Sequence, residues 1–190
     1  MGVRGIINGA LVQSSGAISS WAWGLIKALE YLRSQTSFDI GEISVIGHSR
    51  LGKAALWAGA NDLRFNRVFV NNAGAGAVSI ARRNFGESIE DINKQFPHWY
   101  CRNFKKYNSD PHSLPIDMHQ LLALIAPRPL YIASASEDLW ADPQGERESI
   151  KQAQPVFDLL GGGSVGYHLR PGGHDMTHED WDYFLEHSGR

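Results

Sequence analysis

The sequence predicts an α/β fold, with a mainly parallel sheet flanked by helices. Short runs of apolar and β-branched residues alternate along the chain with longer segments whose apolar residues recur every three or four positions. Strands that alternate with helices favour a parallel sheet, because parallel neighbours need a long crossover connection between them. A length of 190 residues suits one domain with a buried core, so we interpret residues 1–190 as a single domain.

The predicted elements follow in order along the chain. Residues 2–20 are small, polar and Gly-rich and are interpreted as a loop. The spacing of Trp21, Leu25 and Leu29 predicts an amphipathic helix over residues 21–35. The predicted strands are 43–47, 67–70, 130–135 and 166–169, and the other predicted helices are 53–59, 118–125, 143–160 and 177–187.

Composition excludes several classes of function. The formal net charge of −2 provides neither a basic field for nucleic acid nor a polybasic patch for a membrane. No apolar run reaches membrane-spanning length, and the first residues lack the apolar stretch of a signal peptide. The single cysteine, Cys101, excludes an internal disulfide framework and a Cys-rich metal site. We expect no cofactor and no metal.

The strongest local signal is the segment 47–52, Gly-His-Ser-Arg-Leu-Gly, between a predicted strand and a predicted helix. A serine on such a turn has its hydroxyl raised above the sheet, and the glycines remove Cβ atoms that would clash. The positive end of the following helix favours a developing oxyanion. The spacing Gly-x-Ser-x-x-Gly differs from the commoner Gly-x-Ser-x-Gly, and a simple helix cap at Ser49 is the alternative interpretation.

The partners that a nucleophilic Ser49 needs occur later in the chain. Asp138 follows the predicted strand 130–135, and His174 follows the strand 166–169 behind two glycines. Ser, Asp, His is the chain order of an α/β-hydrolase triad. All three residues follow strand ends, where open α/β sheets place their sites. The sequence therefore predicts a serine hydrolase with Ser49 as nucleophile and His174 as base.

Each partner has a rival. Glu137 adjoins Asp138 and is an alternative acid. His168 lies within a predicted strand, which favours core packing, and His178 could pair with His174 on a metal only if a third ligand were present. Nucleotide binding is disfavoured, because the glycines at 161–163 follow a helix and those at 74–76 lack the rest of a phosphate loop.

The chain also resembles a known family. The resemblance is to the glucuronoyl esterases, carbohydrate esterase family 15, most closely their bacterial branch, and it covers nearly the whole chain. Such enzymes are serine esterases that cleave the ester between (4-O-methyl)glucuronic acid of xylan and lignin alcohols. The resemblance therefore implies a glucuronoxylan–lignin ester as the substrate, and secretion or a periplasmic location. The segments that carry it are 47–53, 71–74, 82–87, 96–99, 114–119, 126–131, 134–143 and 173–175.

The resemblance also implies roles for other residues. Arg50 matches an arginine that helps to hold the oxyanion, and Lys53, Glu87 and Trp140 match sugar-binding positions. The alternative for Lys53 is a solvated helix lysine, that for Glu87 is a helix-start carboxylate, and that for Trp140 is a tryptophan that packs within a loop. Many members carry their catalytic acid as a glutamate where this chain has Asn72. An amide cannot balance the charge of an imidazolium, so the departure points to Asp138 as the acid.

The sequence further predicts only part of a domain. Roughly forty residues precede the nucleophile strand, and they contain a helix but no convincing strand. The resemblance likewise begins in mid-domain, so we expect the C-terminal part of an α/β-hydrolase without its first strands. One edge of the nucleophile strand would then be open, which predicts poor solubility or weak activity. An acetyl or other small-acyl esterase and an inactive remnant are the competing interpretations.

Overall fold

Four strands form one parallel sheet in the computed structural model, which describes residues 15–35 and 41–188. The strands follow one another across the sheet in chain order, and each pairs in parallel with the next. The expected parallel sheet with flanking helices is confirmed. The strands are β1 (Ser44–His48), β2 (Arg67–Asn71), β3 (Leu130–Ala135) and β4 (Gly166–Arg170).

Six α-helices lie among the described residues, together with short 3-10 helices at Ala81–Arg83, Arg102–Tyr107 and Pro111–Ser113. None of these helices is long and apolar enough to cross a membrane. The α-helices are α1 (Ala17–Ser34), α2 (Ser49–Asn61), α3 (Ile89–Gln95), α4 (Met118–Ala123), α5 (Pro143–Leu159) and α6 (His178–His187).

The core lies on both faces of the sheet, because successive side chains of a strand point to opposite faces. Val68 and Val70 of β2 pack with residues of α1, α2, α4 and α5 in the main cluster. Phe69, between them, packs with Tyr131 and with Phe184 of α6 in a second cluster. Helices therefore cover the two faces, which explains why nearly every residue of β2 and β3 is buried.

The start of α1 corrects the predicted boundary. The helix begins at Ala17, so residues 17–20 are helical and not part of a loop; residues 2–14 lie outside the described residues. The amide of Ala17 donates to the carbonyl of His98 at 2.8 Å, and the amide of Ile18 donates to that of Trp99 at 3.2 Å. These contacts come from a distant segment, so a local pattern could not reveal them.

Two further helices differ from the sequence prediction. Helix α2 begins at Ser49 itself and not at Lys53. Helix α3 was not predicted at all, although its start carries a capping box: the Ser88 hydroxyl accepts from the Asp91 amide at 3.0 Å, and the Asp91 carboxylate accepts from the Ser88 amide at 3.1 Å. The other predicted boundaries agree with the structure to within two residues.

The C-terminal ends of the strands assemble the candidate site. Ser49 directly follows β1, Asn72 directly follows β2, and Asp138 and His174 follow β3 and β4 within a few residues. Parallel strands bring these ends to one edge of the sheet, so residues that are far apart in sequence become neighbours. Within the described residues, β1 has a hydrogen-bonded strand on one side only.

Candidate active site

Ser49 occupies a strained turn between β1 and α2. Its φ is +56°, in the left-handed region that non-glycine residues rarely adopt. A Cβ on Gly47 would lie 2.2 Å from the carbonyl oxygen of Leu51, so only glycine allows the turn to close this tightly. The fold thus holds Ser49 in a conformation that costs about 1 to 3 kcal/mol, and such strain is concentrated at functional sites.

A chain of hydrogen bonds joins Ser49, His174 and Asp138. The Ser49 hydroxyl donates to His174 Nε2 at 2.8 Å, and His174 Nδ1–H donates to Asp138 Oδ2 at 2.6 Å. Asp138 is buried, whereas the His174 side chain is 44% exposed. The hydrogen bond to Asp138 and the charge of its carboxylate raise the pKa of His174 against the opposing effect of burial.

Among the described residues, none of the rival residues is hydrogen-bonded to Ser49 or to His174. The Glu137 side chain is exposed, and the hydrogen bond of the imidazole runs to Asp138. Asn72 is buried at φ +43°, and neither atom of its amide has a hydrogen-bond partner among the described residues, so Asn72 does not orient the imidazole. His168 is buried in β4, in line with the packing role expected for it. His178 is exposed.

A cavity of about 190 Å³ opens beside Ser49 and His174. Its volume is below the roughly 300 to 1,000 Å³ of pockets for drug-sized ligands. Every residue expected at the site except the buried Asp138 contributes to its wall. The full lining is Ser49, Arg50, Lys53, Asn72, Ala73, Gly74, Glu87, Gln95, Phe96, Trp99, Trp140, Ala141 and His174.

Lys53 is buried, so the interpretation as a solvated helix lysine is wrong. Its ammonium group donates to the carbonyls of Ala73 at 2.8 Å and Ala75 at 2.5 Å, and it lies 3.4 Å from Glu87 Oε2. Burial lowers the pKa of Lys53, and the Glu87 carboxylate partly offsets this effect. Lys53 therefore connects the loop after β2 to Glu87 at the wall of the cavity.

Glu87 and Trp140 are held together by a close backbone contact. The Glu87 amide donates to the Trp140 carbonyl at 2.8 Å. Gly86, at φ +67°, permits this approach, because a Cβ there would lie 2.5 Å from the same carbonyl oxygen. Glu87 is buried, and the cap of α3 is made by Ser88 and Asp91 instead. Trp140 is 49% exposed, so its ring is available at the cavity wall.

Sequence reasoning did not identify Glu146 as a residue of the site. Glu146 is fully buried on α5, where it accepts from the Gly74 amide at 2.8 Å and from the Ser134 hydroxyl. Burial raises the pKa of Glu146 to about 7. A glutamate in the first turn of a polar helix gives no sequence signal of burial, because that is where glutamates commonly face solvent.

No group of three His, Cys, Asp or Glu side chains that could hold a metal ion occurs within residues 15–35 and 41–188. The geometry combines a serine hydroxyl, an imidazole and a buried carboxylate at the mouth of a cavity. Such an arrangement can move a proton from the hydroxyl to the imidazole during attack on a carbonyl carbon.

A family model for the glucuronyl esterases of fungi matches residues 10–161, well over half of the chain. The chain belongs to the glucuronoyl esterases, carbohydrate esterase family 15. The match ends before β4, so His174 lies outside it.

Individual members of carbohydrate esterase family 15 agree with this assignment. Carbohydrate esterase MZ0003, from an unknown prokaryotic organism, is 46% identical over 187 residues, which cover 90% of this chain and 43% of that protein. The 4-O-methyl-glucuronoyl methylesterase of Podospora anserina is 35% identical over 158 residues, covering 78% of this chain and 33% of that protein. The chain thus spans less than half the length of these relatives.

Solved structures of family members share the fold. A CE15 esterase from a marine bacterial metagenome superimposes with a TM-score of 0.89 at 46% identity, over 92% of this chain and 48% of that one. A glucuronoyl esterase from Solibacter usitatus gives a TM-score of 0.87 at 43% identity, with the same shares covered. The sheet described above therefore corresponds to part of a CE15 α/β-hydrolase structure.

Proposed function

We propose that this chain carries the catalytic centre of a serine esterase that hydrolyses esters of glucuronic acid. The observation that supports the proposal most strongly is the continuous hydrogen-bonded series from Ser49 through His174 to Asp138 beside the cavity. In this proposal the cavity next to that hydroxyl receives the sugar, to which the acyl group of the ester belongs.

In the proposed reaction, Ser49 Oγ attacks the uronate carbonyl while His174 Nε2 takes the hydroxyl proton. The Asp138 carboxylate stabilises the imidazolium that results. Arg50, together with the unpaired amides at the start of α2, stabilises the negative oxygen of the tetrahedral intermediate. Collapse of this intermediate breaks the bond to the alcohol, which leaves with the proton from His174. A water molecule then cleaves the acyl-enzyme by the same steps and restores Ser49.

The sugar ring would be held by the part of the cavity wall that Lys53, Glu87 and Trp140 form. In this proposal the Trp140 ring packs against the sugar, and the Glu87 carboxylate accepts from its hydroxyl groups. Lys53 reaches a sugar hydroxyl by exchanging its 3.4 Å contact with Glu87, the longest of its three contacts. The proposed natural substrate is the ester between (4-O-methyl)glucuronic acid of xylan and lignin alcohols, so the protein would act after secretion or in the periplasm.

A second candidate is hydrolysis of acetyl or other small-acyl esters at the same serine. It is favoured by one observation, since the marine metagenome esterase, 46% identical to this chain, is described as promiscuous. A small acyl group needs neither Trp140 nor Glu87, so the two candidates differ in their dependence on the sugar-facing side of the cavity.

The test compares benzyl glucuronate with 4-nitrophenyl acetate, using the wild-type chain and the Ser49→Ala variant. The proposal expects uronate cleavage that the substitution abolishes. Cleavage of the acetyl ester alone would refute the uronate assignment and keep the serine mechanism. Absence of any cleavage by a folded chain would contradict both candidates and favour the inactive remnant.

A further inference from the structure

The loop that carries His174 is bound by a single buried arginine. Arg170, the last residue of β4, is 3% exposed. Its guanidinium donates to the carbonyl of Pro171 at 3.0 Å, to that of Gly173 at 3.3 Å and to that of Asp175 at 2.5 Å. Gly173 and Asp175 are the residues on either side of His174, so one planar group fixes the backbone on both sides of the imidazole.

The arginine is itself held by Asp180, a residue of α6 with no exposed surface. The Asp180 carboxylate accepts from Arg170 Nε at 2.8 Å and from His168 Nε2–H at 2.8 Å. It also accepts from the Thr177 amide at 2.7 Å and the Thr177 hydroxyl at 3.1 Å, which caps α6. Burial would raise the pKa of Asp180, but these hydrogen bonds outweigh it and keep the pKa below its ordinary value. The pair therefore links β4, the loop and α6.

Besides the guanidinium, the Glu137 amide donates to the Gly172 carbonyl at 2.9 Å, and Asp138 holds the His174 ring at 2.6 Å. Residues 171, 173, 174 and 175 are exposed, and Gly172, at φ +98°, adopts a conformation open mainly to glycine. Glycines give a loop more conformational freedom than any other residue. A hydrogen bond of 2.8 Å from Ser49 to His174 demands a fixed imidazole, because displacement of a catalytic group by about 1 Å can cost roughly 100-fold in rate.

We propose that Arg170, anchored by Asp180, is a positioning residue that holds the His174 loop in its reactive geometry. The proposal rests on the esterase function proposed above, because the imidazole is its point of action. Arg170 touches no reacting atom. It acts through the two carbonyls that flank His174, and its buried ion pair with Asp180 fixes the guanidinium in place.

The chain offers a matched control for a test of this role. Arg128 also donates to three backbone carbonyls: that of Gly59 at 2.7 Å, that of Phe65 at 3.0 Å and that of Asp62 at 3.2 Å. It precedes β3 and so lies at the end of the sheet opposite to the site. Lysine keeps the charge in either place but cannot span several carbonyls with a planar group.

The experiment compares Arg170→Lys with Arg128→Lys in the full chain. For Arg170→Lys we expect kcat on benzyl glucuronate to fall about 10- to 100-fold while KM changes less than about two-fold, since only the transition state needs the aligned imidazole. Reaction of Ser49 with a fluorophosphonate should slow by a similar factor. Arg128→Lys should leave both rates within about two-fold of wild type, although both variants lose stability.

Equal losses of kcat in the two variants, or an unchanged kcat in Arg170→Lys, would overturn the proposal. If Arg170→Lys does not fold, Asp180→Asn replaces it, because the amide has the same shape and His168 can change tautomer to match it. The expected result is again a lower kcat at unchanged KM, and an unchanged kcat would refute the role. If the wild-type chain does not cleave the uronate ester, the function proposal fails separately, and the rate of phosphonylation still reports on the loop.

Discussion

His174 and Asp138 are joined by a hydrogen bond but differ in their exposure to solvent. The carboxylate is buried and has one short contact to the imidazole, whereas the imidazole is nearly half exposed towards the cavity. The neighbouring His48 differs: burial lowers its pKa, and its Nδ1–H donates to Asn71 Oδ1 at 2.5 Å. Two histidines with ring centres 4.7 Å apart thus have pKa values shifted in opposite directions, by burial at His48 and by Asp138 at His174.

The raised pKa of His174 predicts the pH dependence of activity. His174 must be neutral to accept the proton of Ser49, and its pKa is raised above 6.5, so kcat/KM should rise with pH through an apparent pKa above that value. Asp138→Asn removes the charge that raises the pKa, so the rise should move to lower pH while kcat falls about 100- to 10,000-fold. The measurement is the pH profile of ester hydrolysis.

The control for this prediction is Glu137→Gln, which removes the adjacent exposed carboxylate. It should leave both the profile and kcat unchanged. A large loss in Glu137→Gln together with an active Asp138→Asn enzyme would contradict the assignment of the acid and support the rival carboxylate.

At the residue scale, the sequence predicted which candidate residues follow strand ends. It did not predict the buried hydrogen bonds of the residues that support them. Ser49, Asp138 and His174 could be found because parallel strands bring their C-terminal ends to one edge. The burial of Lys53 could not, because its acceptors Ala73 and Ala75 lie on a loop twenty or more residues away. Lysine is seldom buried, so the residue type also favoured an exposed side chain.

Helix α5 places the buried carboxylate of Glu146 against the loop after β2, which forms one wall of the cavity. Glu146, in its first turn, accepts from the Gly74 amide, and the Gly74 carbonyl in turn accepts from the amides of Val78 and Ser79 at 2.9 and 3.0 Å. The N-cap of the helix is Asp142, which also binds the guanidinium of Arg83 at 2.9 Å. The helix start therefore fixes the loop after β2 and the segment leading to Glu87.

The pKa of Glu146 predicts a pH dependence of stability. Its folded-state value of about 7 exceeds the ordinary 4.5, so its contribution to stability is full below about pH 4.5 and is lost as the pH rises through 7. In Glu146→Gln the amide can accept from Gly74 and donate to Ser134 without any charge. The decrease in the free energy of unfolding from pH 5 to pH 8 should therefore be smaller by about 2 to 3 kcal/mol than in wild type.

Urea unfolding at the two pH values measures this difference. Glu148→Gln is the control on the same helix, because its side chain is 44% exposed and should leave the pH dependence as in wild type. Identical pH dependence in wild type and Glu146→Gln would show that Glu146 does not titrate in this range and would refute the prediction.

At the element scale, strands were easier to predict than helix ends. Strand β3 was predicted at its observed bounds, because a fully buried strand is an uninterrupted apolar run between turn residues. The start of α1 depends on hydrogen bonds to His98 and Trp99, which no local pattern contains. Helix α3 has only seven residues, too few for an apolar period, although its capping box was present in the sequence as Ser88 and Asp91.

In the part of the chain that the structure describes, apolar surface lies beside β1 on both faces of the sheet. A cavity of about 430 Å³ on one face is lined by Trp21, Trp23 and Leu51 among others, and it contains no ionisable side chain. The other face carries Trp181, which is 44% exposed. Both patches flank the strand that, among the described residues, has a neighbour on one side only, so the surface resembles an interface more than a reaction site.

This surface predicts self-association of the chain. An apolar strand edge with exposed aromatic groups beside it is a template for pairing with another copy. Sedimentation velocity should show the weight-average mass rising with protein concentration. Trp181→Glu should reduce this rise, whereas Leu159→Glu should not, because Leu159 is 82% exposed at the end of α5, which packs on α4 and β3. A monomer at every concentration would contradict the prediction.

At this largest scale, the parallel sheet was within reach of sequence reasoning, since every connection has the length of a crossover. The strand order was not predicted, because crossover length does not fix it. The chain covers 43% of the prokaryotic esterase and 48% of the Solibacter usitatus structure, and the expectation of a partial domain stays a prediction. The exposed aromatic surface was not predictable, because tryptophans at helical spacing are equally typical of core residues.

The central claim is that His174 and Asp138 activate Ser49 as a nucleophile, and covalent labelling tests it most directly. The chain would be incubated with a fluorophosphonate, and the modified residue located by mass spectrometry. We predict a single adduct on Ser49, absent in Ser49→Ala and formed at least about 100-fold more slowly in His174→Ala. A folded wild-type chain that forms no adduct, or forms one that is independent of His174, would contradict the account.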